Sequence, residues 1–159
     1  MPLRKLISGG QTGVDRAALD VAIALGIPHG GWCPAGRLAE DGPIDAAYRL
    51  AETPSADPAE RTARNVRDAD ATLILASGPP TGGTELTRRL ALESGKPLLL
   101  LDLAATPPPD AAHAIAAWLA ATEVACLNIA GPRVTEIEGI YDRAHAILQA
   151  ALTRRESKA

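Results

Sequence analysis

Hydrophobic positions along the chain recur with two periods. Val14, Ala17, Ala18, Val21, Ala22 and Leu25 stand at i, i+3, i+4, i+7, i+8 and i+11, the single apolar stripe of an amphipathic helix. "LRKLIS" ahead of it reads as a strand, the turn "GGQTGVD" joins the two, and Gly26 is placed to stop the helix. Ile27 opens a short second strand reaching Trp32. From "CPAGRLAEDGPIDAAYRLAETPSADP" no period can be read, and Pro, Gly and Asp punctuate it throughout, so a long functional loop is expected there. Asp57, Pro58 and Glu60 then supply an N-cap, a proline at the first helical position and a capping-box partner for a helix running to about Asp68. "ATLILAS" follows as a buried strand. A second glycine-rich turn, "GPPTGGTELT", leads into a helix carrying Leu86, Leu90 and Ala91 that Gly95 ends. "KPLLLLDL", apolar nearly throughout, reads as a central strand. The helix after Pro107, Pro108 and Pro109 has Ala111, Ile115, Trp118 and Leu119 on one face, "VACLNIA" is the last clear strand, and Ile140, Ala144, Ile147, Leu148 and Ala151 mark a final helix.

Strands and helices therefore alternate, and strands this apolar need cover on both faces. The expected fold class is α/β: one three-layer, Rossmann-like domain over residues 1–152, built on a mainly parallel sheet of about five or more strands, with a frayed tail at 153–159. A chain of 159 residues, 47% hydrophobic, is the right size for such a single core.

Charge and composition narrow the function. A formal net charge of −3 argues against a nucleic-acid backbone binder, and the lack of Phe leaves few platforms for stacking bases. No apolar run approaches a membrane span, the N-terminus turns polar by Ser8, and Cys33 and Cys126 fit no zinc spacing. A cytoplasmic protein with reduced thiols, no membrane partner, no nucleic-acid partner and no metal ligands is expected.

In an open parallel sheet, ligands sit beyond the carboxyl ends of the strands, where helix N-termini present unpaired N–H groups. Both glycine turns fall there. Gly9, Gly10 and Gly13 allow successive amides to curl around an anion, with Gln11, Thr12 and Asp15 adding polar side chains. Gly78, Gly82, Gly83 and Thr84 repeat that logic. Neither turn is G-x-x-x-x-G-K-[ST] or G-x-G-x-x-G, and no G-x-S-x-G elbow occurs, so ATPase, dinucleotide dehydrogenase and α/β-hydrolase readings drop. Arg61, Arg64, Asn65 and Asp68 share one helix face and suit a phosphate or polar heterocycle; a solvated face with Arg64 paired to Asp68 is the plain alternative. Arg37, Glu40 and Asp41 follow the second strand, where dinucleotide folds read a ribose. Cys33 and His29 lie near the same strand end without visible partners, and Asn128 and Arg133 close the last strand as a polar rim or oligomer contact.

In order, "SGGQTGVDRAALDVAIALGIPHGGWCPAGRLAEDGPI", "ERTARNVRDADATLIL", "GGTELT", "GKPLLLLDL" and "LNIAGPR...GIYDRA" resemble the molybdenum carrier (molybdenum cofactor carrier-like) family over nearly the entire chain. That family is a branch of the SLOG group of Rossmann-like nucleotide-binding domains, which includes cytokinin-activating phosphoribohydrolases. The resemblance implies a SLOG fold, a homo-oligomer (dimer or tetramer), and a non-catalytic carrier. Its implied cargo is molybdenum cofactor, whose pterin holds molybdenum through a dithiolene and ends in a phosphate, or a related phosphate-bearing pterin or nucleotide; molybdoenzymes would be recipients. The phosphoribohydrolases carry an Arg, an Asp nine residues on, and "PGGxGTxxE". Here Arg61, Asp70, Gly83 and Thr84 keep that register, but the catalytic Glu position falls on Thr87. A threonine cannot stabilise or attack a ribosyl oxocarbenium centre, and Glu85 lies about 200° away around the helix. The sequence thus favours binding, through Gly9, Gly10, Gln11, Thr12, Gly13, Asp15, Arg37, Arg61, Asn65, Gly82, Gly83 and Thr84, with no catalytic residue assigned. The alternative is N-glycosidic cleavage of a nucleoside monophosphate.

Overall fold

The alternation folds in chain order as β1 (Lys5–Ile7), α1 (Val14–Leu25), β2 (His29–Gly30), β3 (Trp32–Cys33), β4 (Leu38–Ala39), β5 (Gly42–Pro43), β6 (Ala51–Glu52), α2 (Pro58–Asp68), β7 (Ala71–Ala76), α3 (Gly82–Ser94), β8 (Leu98–Asp102), α4 (Pro108–Thr122), β9 (Cys126–Ala130) and α5 (Ile140–Glu156). The computed structural model describes residues 3–156. Of the tail expected at 153–159, residues 157–159 lie outside the described residues, and α5 extends through Glu156.

Five strands form one sheet in the order β2-β1-β9-β7-β8, with every pairing parallel. β7 is buried at every position, and its alternate residues serve opposite faces. Leu73 and Leu75 join Leu127, Ile129 and the apolar stripes of α1, α4 and α5 in one core. Thr72 and Ile74 face the other way, where α2 packs against α3. This is the three-layer, Rossmann-like arrangement the apolar strands required. No described helix is long and apolar enough to cross a membrane.

Helix ends follow their local chemistry. Gly26 and Gly95 close α1 and α3 in the left-handed conformation. Asp57 accepts the Ala59 N–H at 2.9 Å, with Pro58 opening α2. The expected capping box is only half made: Glu60 turns outward to Arg64 at 2.9 Å, and the Asp57 N–H goes to the Ser55 hydroxyl. Arg64 therefore pairs backward along the helix, not with Asp68, and its guanidinium lies 4.6 Å from the centre of the Trp32 ring.

Three expectations are corrected. β8 is an edge strand, half-buried along its length, not a central one; an apolar run cannot distinguish a strand between two neighbours from an edge strand flanked by helices. The second strand stops at Gly30, and after a bend at Gly31 the chain leaves the main sheet as β3 to pair with β6. The bend is held by Asn65, whose side-chain amide exchanges two hydrogen bonds with the Trp32 backbone (2.8 and 3.1 Å) in place of a strand neighbour. Finally, the long loop is not irregular throughout. It contains the β4–β5 hairpin and β6, two-residue strands too short to leave a period in the sequence.

Candidate functional site

Both glycine turns open at the carboxyl ends of their strands onto one cavity of about 260 Å³. Gly9, Gln11, Asp15, Arg61, Asn65, Gly82, Gly83 and Thr84 line it, so two stretches separated in sequence by α2 and β7 do converge. Gly10, Thr12, Gly13 and Arg37 do not line it.

The first turn engages some of its own amides, while those of Gly9, Gly10 and Gly13 have no acceptor among the described residues. The Gln11 N–H points at the Asp15 carboxylate (3.4 Å), the Thr12 N–H donates to Gln11 Oε1 (3.0 Å) and the Val14 N–H to the Pro132 carbonyl (3.3 Å). Asp15 thus takes the Gln11 amide for itself. Gly13, at φ 83°, seats α1 against the Pro132 carbonyl, where any Cβ would collide. Gly10 backs onto Ile44 and Leu50, and its carbonyl accepts from Arg16. Gly9 lets Arg61 approach closely enough for Nη1 to donate to the Gly9 carbonyl at 2.9 Å, with Asp15 Oδ2 3.9 Å from the same nitrogen. Burial pushes the Asp15 carboxyl up to about 6; Arg61 and the Gln11 amide pull the other way without overcoming it.

The second turn keeps its donors. Thr84 and Glu85 N–H fold back onto the Thr81 carbonyl (3.1 and 3.2 Å), and the Gly78 N–H is taken by Asp102 at 2.8 Å. The Gly82 and Gly83 amides, the first two of α3, have no acceptor among the described residues. The Thr84 hydroxyl, in a residue only 6% exposed, also lacks a partner among them. Thr87, at the position of the phosphoribohydrolase acid, lines the cavity with its hydroxyl donated to the Gly83 carbonyl at 2.9 Å. Glu85 lies outside the cavity lining and is paired to Arg88 at 2.6 Å.

Several of the residues singled out in the sequence are engaged by the protein itself. Asn65 lines the cavity, but both ends of its amide are engaged by Trp32. Arg37 turns its guanidinium onto four carbonyls of its own loop, those of Ile44, Asp45, Tyr48 and Leu50. Asp70 holds the Ala125 and Cys126 amides at the opposite end of the sheet. Glu40 accepts hydrogen bonds from the Thr12 and Thr135 hydroxyls, and Gln11 Oε1 accepts the Glu40 N–H, so the β4–β5 hairpin is clasped across the first turn to the segment after β9. Burial opposes ionisation of Glu40, but these hydroxyls hold its carboxyl below the ordinary range. His29, without a visible partner in the sequence, accepts the Arg49 N–H at 3.1 Å. Cys33 is buried outside the cavity lining, its thiol pushed up by burial.

Residues the sequence underrated complete the site. Asn128, 3% exposed on β9, contributes to the cavity floor, with its amide 3.4 Å from Thr72 Oγ1 on the neighbouring strand. The signal was present: Asn128 and Thr72 are polar interruptions of apolar strands, in positions adjacent across the sheet. Arg133 and Glu136 pair at 2.9 Å and both line the cavity. Among the described residues, no cluster of three or more His, Cys, Asp or Glu is placed to hold a metal.

The chain is similar to known proteins over nearly its full length. A family model, the circularly permutated YpsA SLOG family, matches residues 6–152. No protein of curated function matches. The 1.45 Å crystal structure of a putative molybdenum carrier protein from Syntrophus aciditrophicus SB superposes with a TM-score of 0.92 at 46% sequence identity, covering 94% of this chain and 95% of that one. The parallel sheet and the match over residues 6–152 agree, and the chain belongs to the circularly permutated YpsA SLOG family.

Proposed function

We propose that the cavity binds a phosphate-bearing small molecule and carries it without covalent change. The observation that supports this reading is the convergence of the unpartnered Gly82 and Gly83 amides and the Arg61 guanidinium on one cavity. A helix N-terminus offers directed donors and a favourable field for an anion, and guanidinium adds a charged fork. The turn at Gly82–Thr84, where both free amides belong to residues lining the cavity, is then the principal phosphate loop, with Gly9 of the first turn lining the same space.

The leading cargo is molybdenum cofactor or a related pterin or nucleotide, consistent with the similarity to the molybdenum carrier protein. The residues fit the phosphate end. No lining residue is a thiol or imidazole, so metal in such a cargo would stay on its own dithiolene. The half-buried apolar edge of β8 and exposed Leu92 on α3 favour a homo-oligomer, dimer or tetramer; cytoplasmic assembly and molybdoenzyme recipients belong to the same proposal, by likeness to the molybdenum carrier protein.

The test is native mass spectrometry of protein purified without oxygen, with metal analysis of the same sample. An intact bound phosphate ester is expected, and Arg61→Ala should weaken its retention at least tenfold, the loss of a charge-assisted hydrogen bond worth about 1.5–3 kcal/mol. Ligand-free protein that binds no phosphate ester would refute the reading. One observation favours a second reading, hydrolysis of a nucleoside monophosphate: Asp15 is a cavity carboxyl able to hold a proton near pH 6. Release of free base on incubation with nucleoside monophosphates would establish it in place of the carrier.

A further inference from the structure

A second cavity, of about 220 Å³, lies next to the first at the start of α3. Pro79, Pro80, Pro132 and Ile137 form its apolar walls, and it shares Thr84 and Glu136 with the first cavity. Neither space alone reaches the roughly 300 Å³ at which small-molecule pockets usually begin. Joined at Thr84 and Glu136, they do.

The chemistry of the second space is specific. Prolines contribute no N–H donor, so the walls favour the faces of a flat ring. The polar group at the junction is an acceptor: Glu136 Oε1 takes the Arg133 Nε and backbone N–H (2.9 and 3.4 Å), while Oε2 has no partner among the described residues. The Thr84 hydroxyl is likewise unpartnered there, and its residue is 94% buried, counting from an exposure of 6%. A buried polar group left without a partner is costly and is normally satisfied by something.

We propose, resting on the anion reading above, that the two cavities form one bipartite site. The phosphate lies at the Gly82 and Gly83 amides and Arg61. A planar heterocycle with an amino group beside a ring N–H occupies the proline-walled slot, where the Glu136 carboxylate accepts from that edge. Thr84 bonds the ligand where the two spaces meet. Guanine and pterin rings share this donor edge; adenine lacks the ring N–H and presents an acceptor there.

Calorimetric titration of the full chain with GMP, neopterin monophosphate, AMP, ribose 5-phosphate and inorganic phosphate tests the proposal. At least one of the two donor-edged compounds should bind ten or more times tighter than AMP and ribose 5-phosphate, and which one gains identifies the ring. Glu136→Gln should bring that ratio down toward one. In the unsubstituted protein, amide NMR should show Gly82 and Gly83 moving with inorganic phosphate, and Ser77, Thr81 and Ile137 moving in addition with the ring-bearing ligand. If phosphate binds but neither ring compound gains over ribose 5-phosphate and the Ser77 and Ile137 amides stay still, the bipartite site is overturned while the anion site stands. If inorganic phosphate and every ester fail to bind, the anion reading falls and the bipartite site with it.

Discussion

Replacing Asp15 with asparagine removes a carboxylate whose ionisation the fold resists. Its carboxyl titrates at about 6 in the folded chain against 3.8 for the free group, burial outweighing the pull of Arg61 and of Arg16. Between those values the folded state binds the proton more tightly than the unfolded chain does. Stability must therefore fall as pH rises through about 4 to 6, and the penalty is complete above that window. A displacement of this size corresponds to about 3 kcal/mol. Protonated Asp15 and the asparagine side chain are close isosteres, and the asparagine keeps an oxygen for the Gln11 amide. The two proteins should thus be similarly stable near pH 4, with Asp15→Asn more stable by about 3 kcal/mol at pH 7.5, or roughly 6–12 °C in Tm for a domain of this size. Urea unfolding at the two pH values measures the difference. His29, whose imidazole is held below its ordinary range first by burial and then by Arg49, acts in the opposite direction, but it is common to both proteins and cancels. A difference that is flat with pH, or that favours the aspartate at pH 7.5, would mean that the ion pair with Arg61 outweighs desolvation, and the argument would be wrong.

Two further predictions concern the segment from β3 to β6. Arg37→Ala should cost about 2–3 kcal/mol through the carbonyls of Ile44, Asp45, Tyr48 and Leu50 left without their donor, and limited proteolysis between Ile44 and Leu50 should accelerate. Arg37→Lys should not rescue it, because one ammonium cannot span that set; full rescue by Lys would refute the clamp. Asp20 accepts the hydroxyls of both Tyr48 and Tyr141, joining the loop to α1 and α5. Asp20→Asn leaves a single acceptor oxygen, so stability should drop by about 1–3 kcal/mol. The Tyr141 phenol, pushed up to about 12 by burial and then by Asp20, should titrate closer to 10 in an ultraviolet absorbance titration. An unchanged tyrosine titration would count against the bridge.

The elements with a full period were legible. The stripe of α1, the Asp57–Pro58 start of α2, and the glycines closing α1 and α3 all act through contacts within a few residues, and the structure contains each. What escaped depended on distant partners. Arg37 and Asn65 have the chemistry of ligand contacts, but only the folded chain shows carbonyls already waiting for them. The same holds for Gln11 and Thr12, engaged by Glu40 across the hairpin. Position relative to the strand ends foretold where the cavity lies, whereas which donors remain free in it is a property of hydrogen-bond partners that no spacing reveals. Glu136 is not singled out by the sequence because the segment between Gly131 and Gly139 has no regular period; only the folded chain shows that it lines both cavities.

Charge inside the cavity links ligand and proton. Arg61 lies beside Asp15 and Arg133 beside Glu136 in its lining, in a chain whose net charge is −3. An anion at the Gly82 and Gly83 amides adds negative charge to the space that already holds Asp15, and it competes for the Arg61 guanidinium that lowers the Asp15 titration. Both effects strengthen the proton's hold on Asp15, so binding must draw a proton in. If the hold strengthens about tenfold, from a titration near 6, uptake at pH 6.5 is on the order of half a proton. Calorimetry with a phosphate ester in two buffers of different ionisation enthalpy measures it, and Asp15→Asn separates this uptake from the ester's own titration, which both proteins share. Equal uptake in the two proteins would show that the anion does not sense Asp15, and would move the phosphate away from Arg61.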